Sequence, residues 1–134
     1  MEMIKIPEER LGILLGEKGR TKKNIEEKAG VNIEINDNGE VIINGDEERV
    51  YFSKDIVKAI GRGFSPEIAL TLLKNEKILI IINLKEYLNS RNSIRRIKAR
   101  VIGTEGKVKI EIESATGCNL SIYGHTVGII GNMD

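Results

Sequence analysis

Two glycine-framed loops, Gly16-Glu17-Lys18-Gly19 and Gly103-Thr104-Glu105-Gly106, are the parts of this chain whose residue types and spacing could do chemistry. They lie 87 residues apart, each behind an apolar pair (Leu14-Leu15, Val101-Ile102), and in both copies the next Gly, Gly30 or Gly117, comes 11 residues after the loop. The chemistry is electrostatic rather than covalent. Glycines at both ends of a turn between two helices let another backbone come close, and they expose amide N–H groups at the start of the second helix. The helix dipole adds partial positive charge there, so a phosphate is attracted without any side chain. Basic residues flank both loops: Lys18, Arg20, Lys22 and Lys23 in the first copy, Lys107 and Lys109 in the second, preceded by Arg91, Arg95, Arg96, Lys98 and Arg100. Between positions 91 and 109 there are seven basic residues and one acidic residue, Glu105, a local excess that suits a polyanion. Glu17 and Glu105 sit inside the loops and oppose that attraction.

The elements that must hold these loops are legible as periodicity. Residues 3–6 alternate as a short strand, and Pro7 with Glu8 and Glu9 opens a helix that stops at Gly16. Residues 20–29 form a second helix capped by Gly30, 31–35 a strand with one buried face, 36–39 a turn and 41–43 the return strand. Asp46 is expected to cap a third helix with Phe52, Ile56, Ala59 and Ile60 as its apolar stripe. A short helix follows from Pro66 through Leu73, with Ser65 as its cap, then a strand at 78–84 and a helix beginning at Asn92 or Ser93. Residues 108–113 alternate as a strand would, yet Val108, Ile112 and Ala115 also fit a helical stripe. The repeat decides for the helix, since Ile112 falls on Ile25 and Gly117 on Gly30. Strands at 120–123 and 127–130 follow, around Gly124-His125, with the register shifted by one so that Gly131 matches Gly45. Copy one reads β-α-α-β-β-α and copy two β-α-α-β-β, its third helix missing.

Composition narrows the function. A net charge of +1 over 134 residues gives no global basic field, and 4% aromatics with no Trp argue against base-stacking platforms. One Cys and one His exclude a disulfide framework and a zinc finger. Cys118 falls on the position of Val31 and reads as packing, and His125 as a surface residue of a hairpin loop. No signal peptide and no spanning segment is visible, so the chain reads as cytoplasmic. A phosphate-binding P-loop needs Gly-x-x-x-x-Gly-Lys-Ser/Thr, and neither 12–21 nor 103–109 has that spacing. No catalytic set, metal site or cofactor site is read. A basic run can also be a merely solvated helix face, as positions 91, 95 and 98 would allow.

An apolar pair, Gly-x-x-Gly, a helix and a strand resemble the working part of a KH domain, which clamps single-stranded nucleic acid on that loop. The groove's other wall would be Ile33 and Ile35 in copy one and Leu120 and Ile122 in copy two. The segments Gly61-Arg62-Gly63-Phe64-Ser65-Pro66-Glu67-Ile68-Ala69 and Arg100-Val101-Ile102-Gly103-Thr104-Glu105-Gly106-Lys107 resemble one tandem-KH family, the archaeal and eukaryotic small-subunit ribosome-assembly factor that partners the Nob endonuclease and is close to the Krr-type processing factors. The resemblance implies single-stranded RNA as ligand, at the 3′ end of small-subunit ribosomal RNA. It implies the Nob endonuclease and the alpha subunit of initiation factor two as partners. It marks Gly103, Gly106 and Lys107, with the Arg-rich helix before them, as the main RNA site, and residues 16–19 as a second.

The expected fold is α/β, two tandem type I KH domains: 1–62 the first, 63–77 a linker with a short helix, and 78–134 the second, lacking its C-terminal helix. The expected RNA-binding residues are Gly103, Thr104, Glu105, Gly106, Lys107, Lys109, Arg95, Arg96, Arg100, Gly16, Glu17, Lys18, Gly19, Arg20, Lys22 and Lys23. The competing function is a protein-interaction adaptor, and a nuclease accessory domain is the poorer third. Without its third helix, the second apolar sheet face is expected to need cover from another chain, or the chain to be a fragment or short member of the family.

Overall fold

A computed structural model describes residues 1–74 and 76–133. Its internal contacts divide the chain into two units, Met1–Asn75 and Glu76–Asp134. The first unit runs β1 (Glu2–Lys5), α1 (Glu8–Leu15), α2 (Arg20–Ala29), β2 (Asn32–Ile35), β3 (Glu40–Asn44), α3 (Glu47–Gly61) and α4 (Pro66–Ala69). Its sheet is antiparallel with order β1-β3-β2, and the register sets Ile4 opposite Val41 and Ile33 opposite Ile43. Because side chains alternate along a strand, these four share one face, and all four are buried. α3 packs on β1 and β3 and α2 on β2. Leu14, Ile25, Val50, Ile56, Val57 and Ile60 complete the core. Each such side chain, fully buried, contributes roughly 1.5–3 kcal/mol.

The α3 stripe differs from the expected one. Val50, Ser53, Ile56, Val57, Ala59 and Ile60 are buried, whereas Phe52 is 56% exposed. Phe52 lies roughly a quarter-turn from the centre of the buried arc, at its margin. There its ring stands edge-on to Tyr51, centroids 5.7 Å apart, and the Lys54 ammonium lies 5.1 Å from the Tyr51 centroid. Ser53 is tolerated inside because its hydroxyl donates to the Arg49 carbonyl at 2.6 Å.

The residues after α3 return onto the first unit. Phe64 and Ala69 are buried. Arg10 of α1 donates through Nε to the Ile60 carbonyl at 2.8 Å and through Nη2 to that of Phe64 at 2.9 Å. The Ser65 hydroxyl accepts from the Ile68 amide, as expected of a cap. The helix it opens ends at Ala69 and tightens into a 3-10 turn over Leu70–Leu73.

The second unit runs β4 (Lys77–Asn83), α5 (Arg91–Ile102), α6 (Lys107–Thr116), β5 (Asn119–Tyr123) and β6 (Thr126–Asn132), with sheet order β4-β6-β5. The ambiguous stretch 108–113 lies inside α6, so the repeat outweighs the local alternation. The hairpin is one residue shorter than in the first unit: Ile33 pairs with Ile43, and its counterpart Leu120 with Ile129. α5 starts earlier than expected. Its cap is Ser90, whose Oγ accepts from the Ser93 amide at 3.1 Å, and Leu84–Glu86 forms a 3-10 turn that the periodicity did not show. No helix follows β6 among the described residues. On the face shared by Ile82, Leu120 and Val127, Ile80 is 47% exposed, whereas Val41 and Ile43 of the first sheet are fully covered.

The stripe of α3 is testable. Ile56→Ala should cost about 2–5 kcal/mol in urea unfolding followed by circular dichroism. Phe52→Ala should cost less than about 1 kcal/mol. Equal costs would contradict the placement of Phe52.

Candidate nucleic-acid interface

Both glycine loops have one backbone shape. Gly16 has φ 71°, ψ 178° and Gly103 φ 73°, ψ 175°; Lys18 and Glu105 both have φ 56°, ψ 26°; Gly19 has φ 75°, ψ 13° and Gly106 φ 76°, ψ 12°. The amide of the first Gly closes the preceding helix, Gly16 on the Gly12 carbonyl and Gly103 on that of Ala99. The two glycines of each loop are required for different reasons. A Cβ on Gly16 would lie 2.9 Å from the Thr21 amide nitrogen, and one on Gly103 2.8 Å from that of Val108. A Cβ on Gly19 or Gly106 would meet nothing within 4 Å, so there only the left-handed φ and the open approach matter. Lys18 and Glu105 hold left-handed conformations at a cost of roughly 1–2 kcal/mol each. α2 and α6 begin directly after Gly19 and Gly106, and no side chain caps either start. The first amides of a helix have no partner within it. Two helix starts are therefore presented, each at an open turn.

A second shared device sets each helix against its strand. The Ile33 amide donates to Glu26 Oε2 at 2.7 Å, and the Leu120 amide to Glu113 Oε2 at 2.9 Å. Lys22 Nζ stands 3.5 Å from the same Glu26 carboxylate and donates to the Ile33 carbonyl at 3.0 Å, while Lys109 Nζ stands 3.7 Å from Glu113. Lys22, expected to meet RNA, is thus engaged in joining helix to strand, whereas Lys109 pairs with Glu113 on its own helix. Glu26 and Glu113 were not singled out from the sequence. Their signal was there as a Lys-x-x-x-Glu pair at the same place in both copies.

The other expected residues separate by exposure. Glu17, Lys18, Arg20 and Lys23 of the first loop region and Thr104, Glu105, Lys107, Arg95, Arg96 and Arg100 of the second are exposed. Arg20, with Thr21 and Asn24, lines a cleft of about 600 Å³ shared with Ser65, Pro66, Glu67 and Leu70, so its lining carries both signs of charge. Arg95 lines a separate cleft with Arg91 and Lys98. The expected groove wall is narrower than read. Ile33 and Leu120 belong to the core, and of the four only Ile35 and Ile122, on the same sheet face two residues further along their strands, keep half-exposed surface. Cys118 is half-buried against Gly131, where a Cβ would lie 2.5 Å from its Sγ. Among the described residues no group of three or more His, Cys, Asp or Glu could hold a metal ion, and no helix is long and apolar enough to cross a membrane.

Two contrasts follow. Gly16→Ala should destabilise the first unit more than Gly19→Ala, which carries only the left-handed cost of roughly 1–2 kcal/mol. Lys22→Ala should lower stability by about 1 kcal/mol, while Lys23→Ala should leave it unchanged. Chemical denaturation of the four variants measures both, and a reversed order in either pair would contradict the geometry.

Comparison with known proteins finds one KH match in each of the two units. The model of the KH domain family matches residues 1–59, and that of the eukaryotic type KH-domain (KH-domain type I) matches residues 78–134. The KH domain-containing protein MJ0443 of Methanocaldococcus jannaschii is 51% identical over 139 aligned positions, which take in all of this chain and 61% of that protein. The chain therefore spans about three fifths of the length of that curated relative. The crystal structure of Dim2p from Pyrococcus horikoshii OT3 superposes with a TM-score of 0.90 at 43% identity, over 98% of this chain and 80% of that one. The Dim2p chain in the a/eIF2alpha-aDim2p-rRNA complex from the same organism gives 0.89 at 43% identity, over 98% and 75%. Two KH units in one chain, with this identity over this share of a relative, place it: the chain belongs to the tandem-KH family of archaeal Dim2p.

Proposed function

We propose that this chain is a non-enzymatic factor of small-subunit ribosome assembly that binds single-stranded RNA, at the 3′ end of small-subunit ribosomal RNA, through its glycine loops. The observation that carries the reading is the shared loop geometry: two left-handed glycine turns, each opening onto an uncapped helix start. A phosphate seated there would meet backbone amides and the positive end of a helix dipole. The loop at 103–106 is the principal grip. Gly103 and Gly106 shape the turn, Thr104 and Glu105 stand at its tip, Lys107 and Arg100 add charge beside it, and Arg95 and Arg96 extend that charge back along α5. The loop at 16–19, with Lys18, Arg20 and Lys23, is the secondary grip, its charge offset by Glu17 and Glu67. Lys22 acts through the helix–strand junction, and Lys109 beside its Glu113 partner adds a weaker charge. The Dim2p relative crystallised with ribosomal RNA and a/eIF2alpha supports both the ligand and the alpha subunit of initiation factor two as a partner. The Nob endonuclease is the further partner that the family implies.

A protein-interaction adaptor is the second reading, favoured by the exposed Tyr51–Phe52 pair on α3, since aromatic side chains are enriched where proteins meet. One titration separates the two. With a 3′-terminal small-subunit ribosomal RNA oligonucleotide against a scrambled one, Thr104→Asp with Glu105→Asp should cut affinity strongly while leaving the melting curve unchanged. If about four phosphates are neutralised, log K should fall with log salt at a slope near −3. Unchanged binding by the double variant, or binding indifferent to salt, would favour the adaptor.

A further inference from the structure

Away from the loop, the second unit carries a cleft of about 250 Å³ lined by Lys85, Arg91, Ile94, Arg95, Lys98 and His125. Three elements form it: the turn after β4, the N-terminal half of α5, and the β5–β6 hairpin turn, whose His125 carbonyl accepts from the Leu84 amide at 2.8 Å. Arg91, Arg95 and Lys98 reach it from one helix face because they are spaced by four and three residues. Four cationic side chains line this cleft and no carboxylate does. None of the four makes an ion pair among the described residues. Like charges gathered around one cleft repel, and an anion received there relieves that repulsion.

The first unit shows that the fold does not demand this. Its cleft in the matching place, between the end of β1, the first half of α1 and the β2–β3 turn, is lined by Lys5, Ile6, Glu8 and Leu11 with residues 35–39, Asp37 among them. In the 87-residue register Arg95 replaces Glu8 and Lys98 replaces Leu11. One architecture thus carries mixed charge in one copy and cationic charge alone in the other.

We infer that this cleft is a second phosphate subsite, which takes a backbone phosphate of the RNA strand outside the nucleotides held at the 103–106 loop. The inference rests on the RNA-binding reading above. Arg95 lies eight residues before Gly103 on α5, roughly 12 Å along the helix axis. A KH loop clamps about four nucleotides, so a strand crossing both places must be longer than that clamp. Ile94 supplies the apolar part of the lining and the four cations the charge.

The test compares a tetranucleotide that binds the loop with the same RNA extended by four nucleotides on either side. One extension should tighten binding roughly tenfold, about what one well-held phosphate adds. It should steepen the salt slope by about 0.7 for each phosphate received. Lys85→Gln with Arg91→Gln should abolish this gain and leave tetranucleotide affinity and the melting curve unchanged. A methylphosphonate at the critical position of the extension should abolish it in the unaltered protein. The proposal is overturned if the double variant keeps the full gain, or if it weakens both RNAs equally, as a diffuse field would. It is also overturned if inorganic phosphate perturbs the cleft residues in NMR spectra while RNA extension does nothing. A tetranucleotide indifferent to the Asp-Asp loop variant would instead defeat the RNA-binding reading itself.

Discussion

The left-handed turn at Gly16 and Gly103 is the constraint on which both units depend. It reverses the chain between two helices while the backbone passes so close to the amide of Thr21 or Val108 that a Cβ has no room. Without it the second helix could not begin beside the end of the first, and its start would not stand open. The same turn places Glu26 and Glu113 two helical turns on, where each carboxylate takes the first free amide of the strand beneath. Loop, helix and strand therefore form one mechanical unit, repeated twice with nearly the same angles.

On that common frame the two copies have diverged in cover and in charge. In the first, α3 closes the sheet and leaves Ile4, Ile33, Val41 and Ile43 in a dry core. In the second, α5 and α6 bury no residue completely, and the cationic side chains gather instead around the loop and the cleft before it. Cover and charge are thus weighted differently between copies. A near-neutral chain still holds a concentrated positive surface, because the acidic residues lie elsewhere in the sequence.

Several features were legible without coordinates because they are local or repeated. Pro7, Gly30 and Gly117 mark helix ends by backbone geometry alone, and the spacing from loop to cap is the same in both copies. The repeat also settled 108–113, where alternation taken alone points to the wrong element. Phe52 was misplaced because a helical stripe read from sequence has no reference for its centre; only the sheet beneath α3 supplies one. Ile33 and Leu120 were read as groove for a similar reason, since alternation tells which residues share a face but not how far along each strand the helices cover it.

The duplication, the order of the helices and strands, the two glycine turns and the excess of basic residues between 91 and 109 were all readable from the chain alone. Each of these depends on residues close in the chain or on one copy checking the other. Only the tertiary structure decided what the charges do. It set the Lys22–Glu26 pair against the backbone of Ile33, and it gathered Arg91, Arg95 and Lys98 with Lys85 into one cleft beside His125. A charge acts through its neighbours in space, and beside the partners on its own helix each site takes in others, a strand carbonyl for Lys22 and a turn and a hairpin for the α5 cations, that no helical spacing announces.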